Sequence, residues 1–401
     1  MRTTLVLAAV GLGLSMGAPA LGQQVESVVV TSSASPAGPG SGRALSRDRV
    51  ERIGEVLELD ELQREVAMEL FKEVAGKRQA LGDAMRQSIE SARELADEGD
   101  FSEMFTRIKE VTGSYQDSVD ALESTFLQDV RAMLTGDQEA LWPKAERLHR
   151  RGQHMGSLTR SQARVDLDEL VRAQFESVYA RQDVAEVLDR WAVQVDGLLV
   201  ERARKAEDIG GGAGFQGGIV MIGGGDDPYE DLRAIDARIV SASEQAVRNL
   251  SGAIEDNSIE QEWIRKSFAR VYRQTDGERR LEAANALESL TTEQKEQLDA
   301  VTEQHGRDVG TARDRWVAAE KEREKENTLP PGVMVMIDGQ EPTPSDEARK
   351  AVKELDERLE AKLAAILSED QLAELPAASE SFDEVRFNPS GGTRRSIRIG
   401  G

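Results

Sequence analysis

Apolar residues recur every three or four positions along most of the chain from Arg49 onward, the spacing that lays one stripe along an α-helix. The first stripe takes Leu62, Val66, Leu70 and Val74, then Leu81, Met85 and Ile89. A second runs from Phe101 through Phe105, Ile108, Thr112, Tyr115, Val119, Leu122, Phe126 and Val130 to Met133, long enough to pack lengthwise on a partner helix. Further stripes are Val184, Val187, Trp191, Val195 and Leu198, and Leu232, Ile235, Ile239, Ala242, Ala246 and Leu250. The last two are Leu298, Val301, His305, Val309, Ala312 and Trp316, and Val352, Leu355, Leu359, Leu363 and Ile366. Short polar breaks such as Asp97-Glu98-Gly99-Asp100 and Glu255-Asp256-Asn257 favour antiparallel neighbours. The pattern predicts an all-α chain of tandem antiparallel helical hairpins, drawn out as an elongated bundle or cradle.

Two breaks have a different chemistry. Residues 209–228 and 328–345 are rich in glycine or proline and share Val-Met-Ile-x-Gly, as Val220-Met221-Ile222-Gly223-Gly224 and Val335-Met336-Ile337-Asp338-Gly339. Their β-branched runs offer a short β-ribbon between Ile219–Ile222 and Val333–Ile337. The alternative is two mobile, moderately sticky loops. Methionine beside valine and isoleucine suits an adaptable contact surface, so Val220, Met221, Ile222, Val335, Met336 and Ile337 are candidate protein-contact residues.

The informative repeat is a helix start. Leu-Thr-x-x-Gln occurs as Leu134-Thr135-Gly136-Asp137-Gln138, Leu158-Thr159-Arg160-Ser161-Gln162 and Leu290-Thr291-Thr292-Glu293-Gln294. Near copies are Leu59-Asp60-Glu61-Leu62-Gln63 and Leu367-Ser368-Glu369-Asp370-Gln371, with another capping residue in place of threonine. Each predicts a capping box: the short side chain accepts from a first-turn N–H, and Gln three residues on reaches back to the cap. The leucine before it packs inward. Leu59 and Leu134 lie 75 positions apart, Leu290 and Leu367 lie 77 apart, so the copies bracket units of one size.

These motifs resemble the Spy/CpxP family of periplasmic proteins, defined by paired LTxxQ motifs around a helical hairpin. Residues 55–152 match best, 290–376 look like a second unit, and 158–289 like a more divergent third. The resemblance implies an exported, all-helical, often dimeric cradle that acts as an ATP-independent chaperone or an envelope-stress adaptor. It gives the leucines and caps at 59–60, 134–135, 290–291 and 367–368 a role in shaping that cradle. The chain departs from the family in holding several units, in its glycine-rich insertions, and in charge. Family members have a basic and apolar client-binding face.

Composition fits thin, water-exposed helices: aromatic residues are 4% and charged residues 31% of 401. The absence of cysteine excludes disulfides, thiolate chemistry and a cysteine zinc site. A formal net charge of -23 argues against a nucleic-acid partner, since phosphate binding needs clustered positive charge. Local basic clusters are Lys144, Arg147, Arg150 and Arg151, and Arg394, Arg395 and Arg398. Residues 1–22 read as a signal peptide, with Arg2, the apolar Leu5 to Met16 and Ala20-Leu21-Gly22 as cleavage region. That predicts an exported protein, periplasmic or else secreted where no outer membrane exists, without stable membrane insertion after cleavage. The expected organisation continues with a flexible leader at 23–44, helical units at 45–155, 156–289 and 290–376, and a disordered tail at 377–401.

Chemistry-bearing motifs are few. Gly212-Ala213-Gly214-Phe215-Gln216-Gly217 matches GxGxxG but lacks the strand before it and the helix after it. Glu146 and His149 form one half of a di-iron pair whose second half is missing, since His149, His154 and His305 are the only histidines. Asp226, Asp227, Glu230 and Asp231 do not have EF-hand spacing, and no Gly-x-Ser-x-Gly elbow marks a nucleophile. The sequence therefore predicts no enzyme, no cofactor and no dedicated metal site. It predicts a protein-binding helical protein whose partners are unfolded clients or an envelope sensor, with a homodimer as an option. A structural scaffold without client binding and a metal-responsive sensor are the alternatives.

Overall fold

The structure is a computed structural model, and it describes residues 29–30, 45–97, 101–209, 229–326, 335–336 and 342–377. These residues form fourteen α-helices and two short 3-10 turns, so the all-α class holds. The helices are α1 (Arg47–Val56), α2 (Glu61–Asp97), α3 (Phe101–Ala132), α4 (Gly136–Glu139), α5 (Trp142–His154), α6 (Leu167–Gln174) and α7 (Glu176–Tyr179). They continue with α8 (Gln182–Asp208), α9 (Glu230–Ile254), α10 (Ser258–Ser267), α11 (Asp276–Asn285), α12 (Thr292–Glu326), α13 (Pro344–Ile366) and α14 (Glu369–Glu374). Among the described residues, no helix is long and apolar enough to cross a membrane.

Strand structure is confined to two dipeptides among the described residues. β1 (Val29–Val30) pairs antiparallel with β2 (Val335–Met336), Val29 opposite Met336 and Val30 opposite Val335. Val335 and Met336 thus take their partners from the valines of the leader. The ribbon expected between it and Ile219–Ile222 falls partly outside the described residues, as do the signal peptide, the GxGxxG match and the arginines of the tail.

The chain separates into two compact units. Helices α1 to α10 and the β pair belong to the first; the second begins at Ala269 and holds α11 to α14. The first unit contains two apolar cores. One gathers Leu45, Ile53, Leu57, Phe126, Val130 and Trp142 from α1, α3, α5 and the segments flanking α1. The other packs α8 on α9 through Trp191, Val195, Leu199, Ile239 and Leu250. In the second unit Leu281, Leu298, Leu359, Leu363 and Leu375 form one core.

Ion pairs join the first unit's two cores. Arg49 meets Glu169, Arg52 meets Asp168 at 3.2 Å, and Arg151 meets Asp166 at 2.9 Å with both side chains at most 9% exposed. Burying charges is tolerated here because each guanidinium faces a carboxylate. Arg49 also rests on Gly152, where an added Cβ would collide with its guanidinium. Burial lifts the Asp166 carboxyl above its ordinary range, and Arg151 opposes that.

Helix α1 ends in a Schellman motif without glycine. Glu58 has φ 51°, Leu59 N–H donates to Gly54 O at 2.9 Å and Glu58 N–H to Glu55 O at 3.1 Å. The same left-handed reversal at Glu255 (φ 58°) ends α9, with Asp256 N–H donating to Ser251 O. The reversal at Glu58 aims Leu59 and Asp60 at the start of α2.

Candidate functional site: two glutamine clasps and an open helix face

Four of the five motif copies form capping boxes. At α2, Gln63 N–H donates to Asp60 Oδ1 at 2.8 Å and Asp60 N–H to Gln63 Oε1 at 2.9 Å. Thr135 and Gln138 do the same at α4, Thr291 and Gln294 at α12, and Ser368 and Gln371 at α14. Using its oxygen for the cap leaves each glutamine with a free amide N–H group. That group is what brings the motifs together.

Gln63 and Gln138 exchange amide hydrogen bonds, Nε2 to Oε1 at 2.9 Å one way and 2.8 Å the other. Gln63 Nε2 also donates to Met133 O at 2.8 Å, and Gln138 Nε2 to Glu58 O at 3.0 Å. Each glutamine therefore caps its own helix and holds the carbonyl that leads into the other motif. The second unit repeats this arrangement. Gln294 Nε2 donates to Gln371 Oε1 at 2.9 Å and to Ile366 O at 2.9 Å, while Gln371 Nε2 donates to Gln294 Oε1 at 3.3 Å and to Ser289 O at 3.2 Å. Leu59, Leu290 and Leu367 are buried beneath these clasps and Leu134 is half-buried.

The Leu158 copy does not form a capping box. Arg160, not Thr159, precedes the 3-10 turn Ser161–Arg164 and makes no side-chain cap. Thr159 instead donates to Asp236 Oδ2 through its N–H at 2.7 Å and its hydroxyl at 2.6 Å. Arg202 Nε completes that carboxylate's shell at 2.7 Å, and Asp236 is wholly buried. Gln162 is buried with its Nε2 unpartnered. The backbone donor explains the departure: Asp236 takes the Thr159 N–H that a capping box would give to the Gln162 side chain. Its signal was present in the sequence, since Asp236 lies four residues after Leu232 and three before Ile239, on the apolar face itself.

The first clasp borders an open apolar face. Along α2, Leu62 is 69% exposed and Val66 41%, Leu70 is half-buried and Val74 is 8% exposed. A row of every fourth residue rotates about 40° per step around a helix of 3.6 residues per turn. The row thus winds from solvent into the core. Further along, a shallow groove of about 600 Å³ lies between α2 and α3, lined by Lys77, Ala80, Leu81, Ser118, Ala121 and Leu122. Leu45 sits at the same level, held through its N–H by Glu123 at 2.8 Å and through its carbonyl by Arg78 at 2.9 Å.

The basic cluster of α5 is not an open patch. Lys144 pairs with Asp189 at 2.8 Å, Arg150 with Asp196 at 2.7 Å, and Arg151 with Asp166. His149 is buried with Nε2 3.4 Å from Glu123 Oε2; burial, then the charges of Arg49, His154 and Arg150, push its pKa down to about 4. His305, also buried, lies 3.7 Å from Asp356 Oδ1. Among the described residues, no three His, Cys, Asp or Glu side chains converge to hold a metal ion. Of the Val-Met-Ile candidates, Val335 and Met336 lie in β2; Val220, Met221, Ile222 and Ile337 fall outside the described residues.

Compared with protein-family models, curated proteins and solved structures, the chain matches none.

Proposed function

We propose that this is an exported, non-enzymatic protein-binding protein of the LTxxQ kind, acting on unfolded clients or as an adaptor to an envelope sensor. One observation carries the reading. The clasp that fixes the start of α2 leaves Leu62 and Val66 open to solvent while the same row becomes core two turns on. Large aliphatic side chains left open side by side on a helix are what a promiscuous polypeptide surface needs. The doubled clasps at 63/138 and 294/371 support the resemblance, because capping alone requires no such pairing.

The test is suppression of aggregation of a chemically unfolded client by the purified protein without nucleotide. Suppression is expected at stoichiometric ratios, and Leu62→Ser with Val66→Ser should weaken it severalfold. No suppression at excess overturns the chaperone reading. A second reading, a structural scaffold, draws on the length of α2 (37 residues) and α12 (35 residues), about 55 Å and 50 Å of helix. It predicts self-association in sedimentation without client binding.

A further inference from the structure

The apolar row that opens α2 has a charged companion. Glu61, Glu65, Glu69 and Glu73 stand one position before Leu62, Val66, Leu70 and Val74, and all four glutamates are exposed. With a rise of 1.5 Å per residue they form a ridge about 18 Å long, one carboxylate every 6 Å. Both rows have a spacing of four and rotate together, and a spacing of three sets Glu65 beside Leu62 and Glu69 beside Val66 on the helix surface. Lys72 and Lys77 touch Glu69 and Glu73 at 2.5 and 2.6 Å. No ion pair engages Glu61 or Glu65 among the described residues. Glu65 adjoins Leu62 and Glu61 stands one turn before it on the same ridge, and Leu62 and Val66 are the most exposed of the apolar row.

We propose that this ledge takes cationic amphipathic polypeptide segments: leucine-like side chains against Leu62 and Val66, and lysine or arginine against Glu61, Glu65 and Glu69. Charge complementarity selects this occupant. The segments Glu61–Asp97 and Phe101–Ala132 hold fourteen acidic and nine basic residues, a balance of -5. A second copy of the chain, at -23, brings the same sign of charge and is disfavoured. A lysine every fourth residue on a helical segment meets the 6 Å period of the ridge, and an unfolded basic segment reaches it with less register. The inference rests on the protein-binding reading and adds the chemistry of the bound segment.

The experiment uses the full chain and three synthetic amphipathic peptides of about 15 residues. They share one leucine stripe, with lysine, glutamine or glutamate on the polar face. Fluorescence anisotropy at physiological salt is expected to rank lysine first and glutamate last. The triple variant E61Q/E65Q/E69Q should weaken the lysine peptide about tenfold and leave the glutamine peptide within about twofold. A variant of equal charge change elsewhere, E296Q/D299N/E303Q, should leave lysine-peptide binding within about twofold. Equal weakening by both triple variants would mean bulk charge alone and would overturn the proposal. So would equal binding of the lysine and glutamine peptides; if L62S/V66S still abolished both, the protein-binding reading would survive. Failure of all three peptides to bind would remove both.

Discussion

If the clasps hold the motifs together, a glutamine inside a clasp should matter far more than one in a motif that lacks it. Gln138 makes two bonds with Gln63, one to Glu58 O and one from Thr135 N–H. Replacement by methionine keeps the volume and removes all four. A neutral hydrogen bond contributes roughly 1 kcal/mol net, and water replaces part of that at a half-exposed site, so Gln138→Met should cost about 2 kcal/mol. Gln371 is only 6% exposed and its partners include Ser368 N–H, Ser289 O and Gln294. Its replacement should cost about 3 kcal/mol because the groups left behind are poorly hydrated. Gln162→Met, which removes an Nε2 with no partner, should lie within about 0.5 kcal/mol of the parent or stabilise it. Urea unfolding followed by far-ultraviolet circular dichroism reads these as shifts in midpoint at constant slope. The double variant Q63M/Q138M should be less destabilised than the sum of the singles by about 1 kcal/mol or more, since each single already breaks the shared pair. Additive singles, or a Gln162→Met cost equal to that of Gln138→Met, would refute the clasp as a coupled unit.

Three further outcomes rest on local geometry. Glu58→Gly should stabilise the first unit by about 1 kcal/mol despite losing a side chain, because a left-handed φ of 51° strains any residue with a Cβ; an unchanged urea midpoint would contradict this. Arg202→Met should destabilise by roughly 3 to 5 kcal/mol, since it leaves the wholly buried Asp236 without its cation, and adding Asp236→Asn should recover part of the loss. His149 has a pKa of about 4 in the fold against 6.5 unperturbed, so the unfolded chain binds its proton first on acidification. Its contribution is present above about pH 6.5 and is lost as pH falls towards 4, up to about 3 kcal/mol; His149→Gln should flatten the pH dependence of the urea midpoint in that window.

How much of this was legible in the sequence varies with what each stripe had to satisfy. The stripe Leu232, Ile235, Ile239, Ala242, Ala246 and Leu250 is buried at every position, because steps of three mixed with steps of four keep it on one face. The stripe Leu62, Val66, Leu70, Val74 reads equally apolar but steps by four throughout, and its drift is what exposes its first half. The step size, not the hydrophobicity, carried the information about the open face. Buried polar centres were visible in the same way, as charged residues standing on an apolar face. Asp236 stands so among Leu232 and Ile239, and Glu320 so after Trp316, where it accepts from Trp316 Nε1 at 3.1 Å and from Ser345 Oγ at 2.5 Å.

The motif itself shows where local reading stops. Leu-[Thr/Ser/Asp]-x-x-Gln specifies a cap through groups three residues apart, and four copies obey it. Within those five residues Leu158-Thr159-Arg160-Ser161-Gln162 differs from the other four in having Arg160-Ser161 where they carry an Asp or Glu in the first turn, and with both threonine and glutamine it yet caps nothing. A second difference is supplied from a distance: Gln63 has Gln138 and Gln294 has Gln371, whereas Thr159 meets Asp236, itself held by Arg202. A capping box contributes about 1 kcal/mol, less than a buried carboxylate gains from a second donor, so the tertiary partner decides whether the local pattern is used. Replacing Asp236 by leucine together with Arg202 by methionine would remove that competition. The Thr159 N–H would then be free for Gln162, and a crystal structure of the double variant should show the capping box formed; its absence would refute the competition.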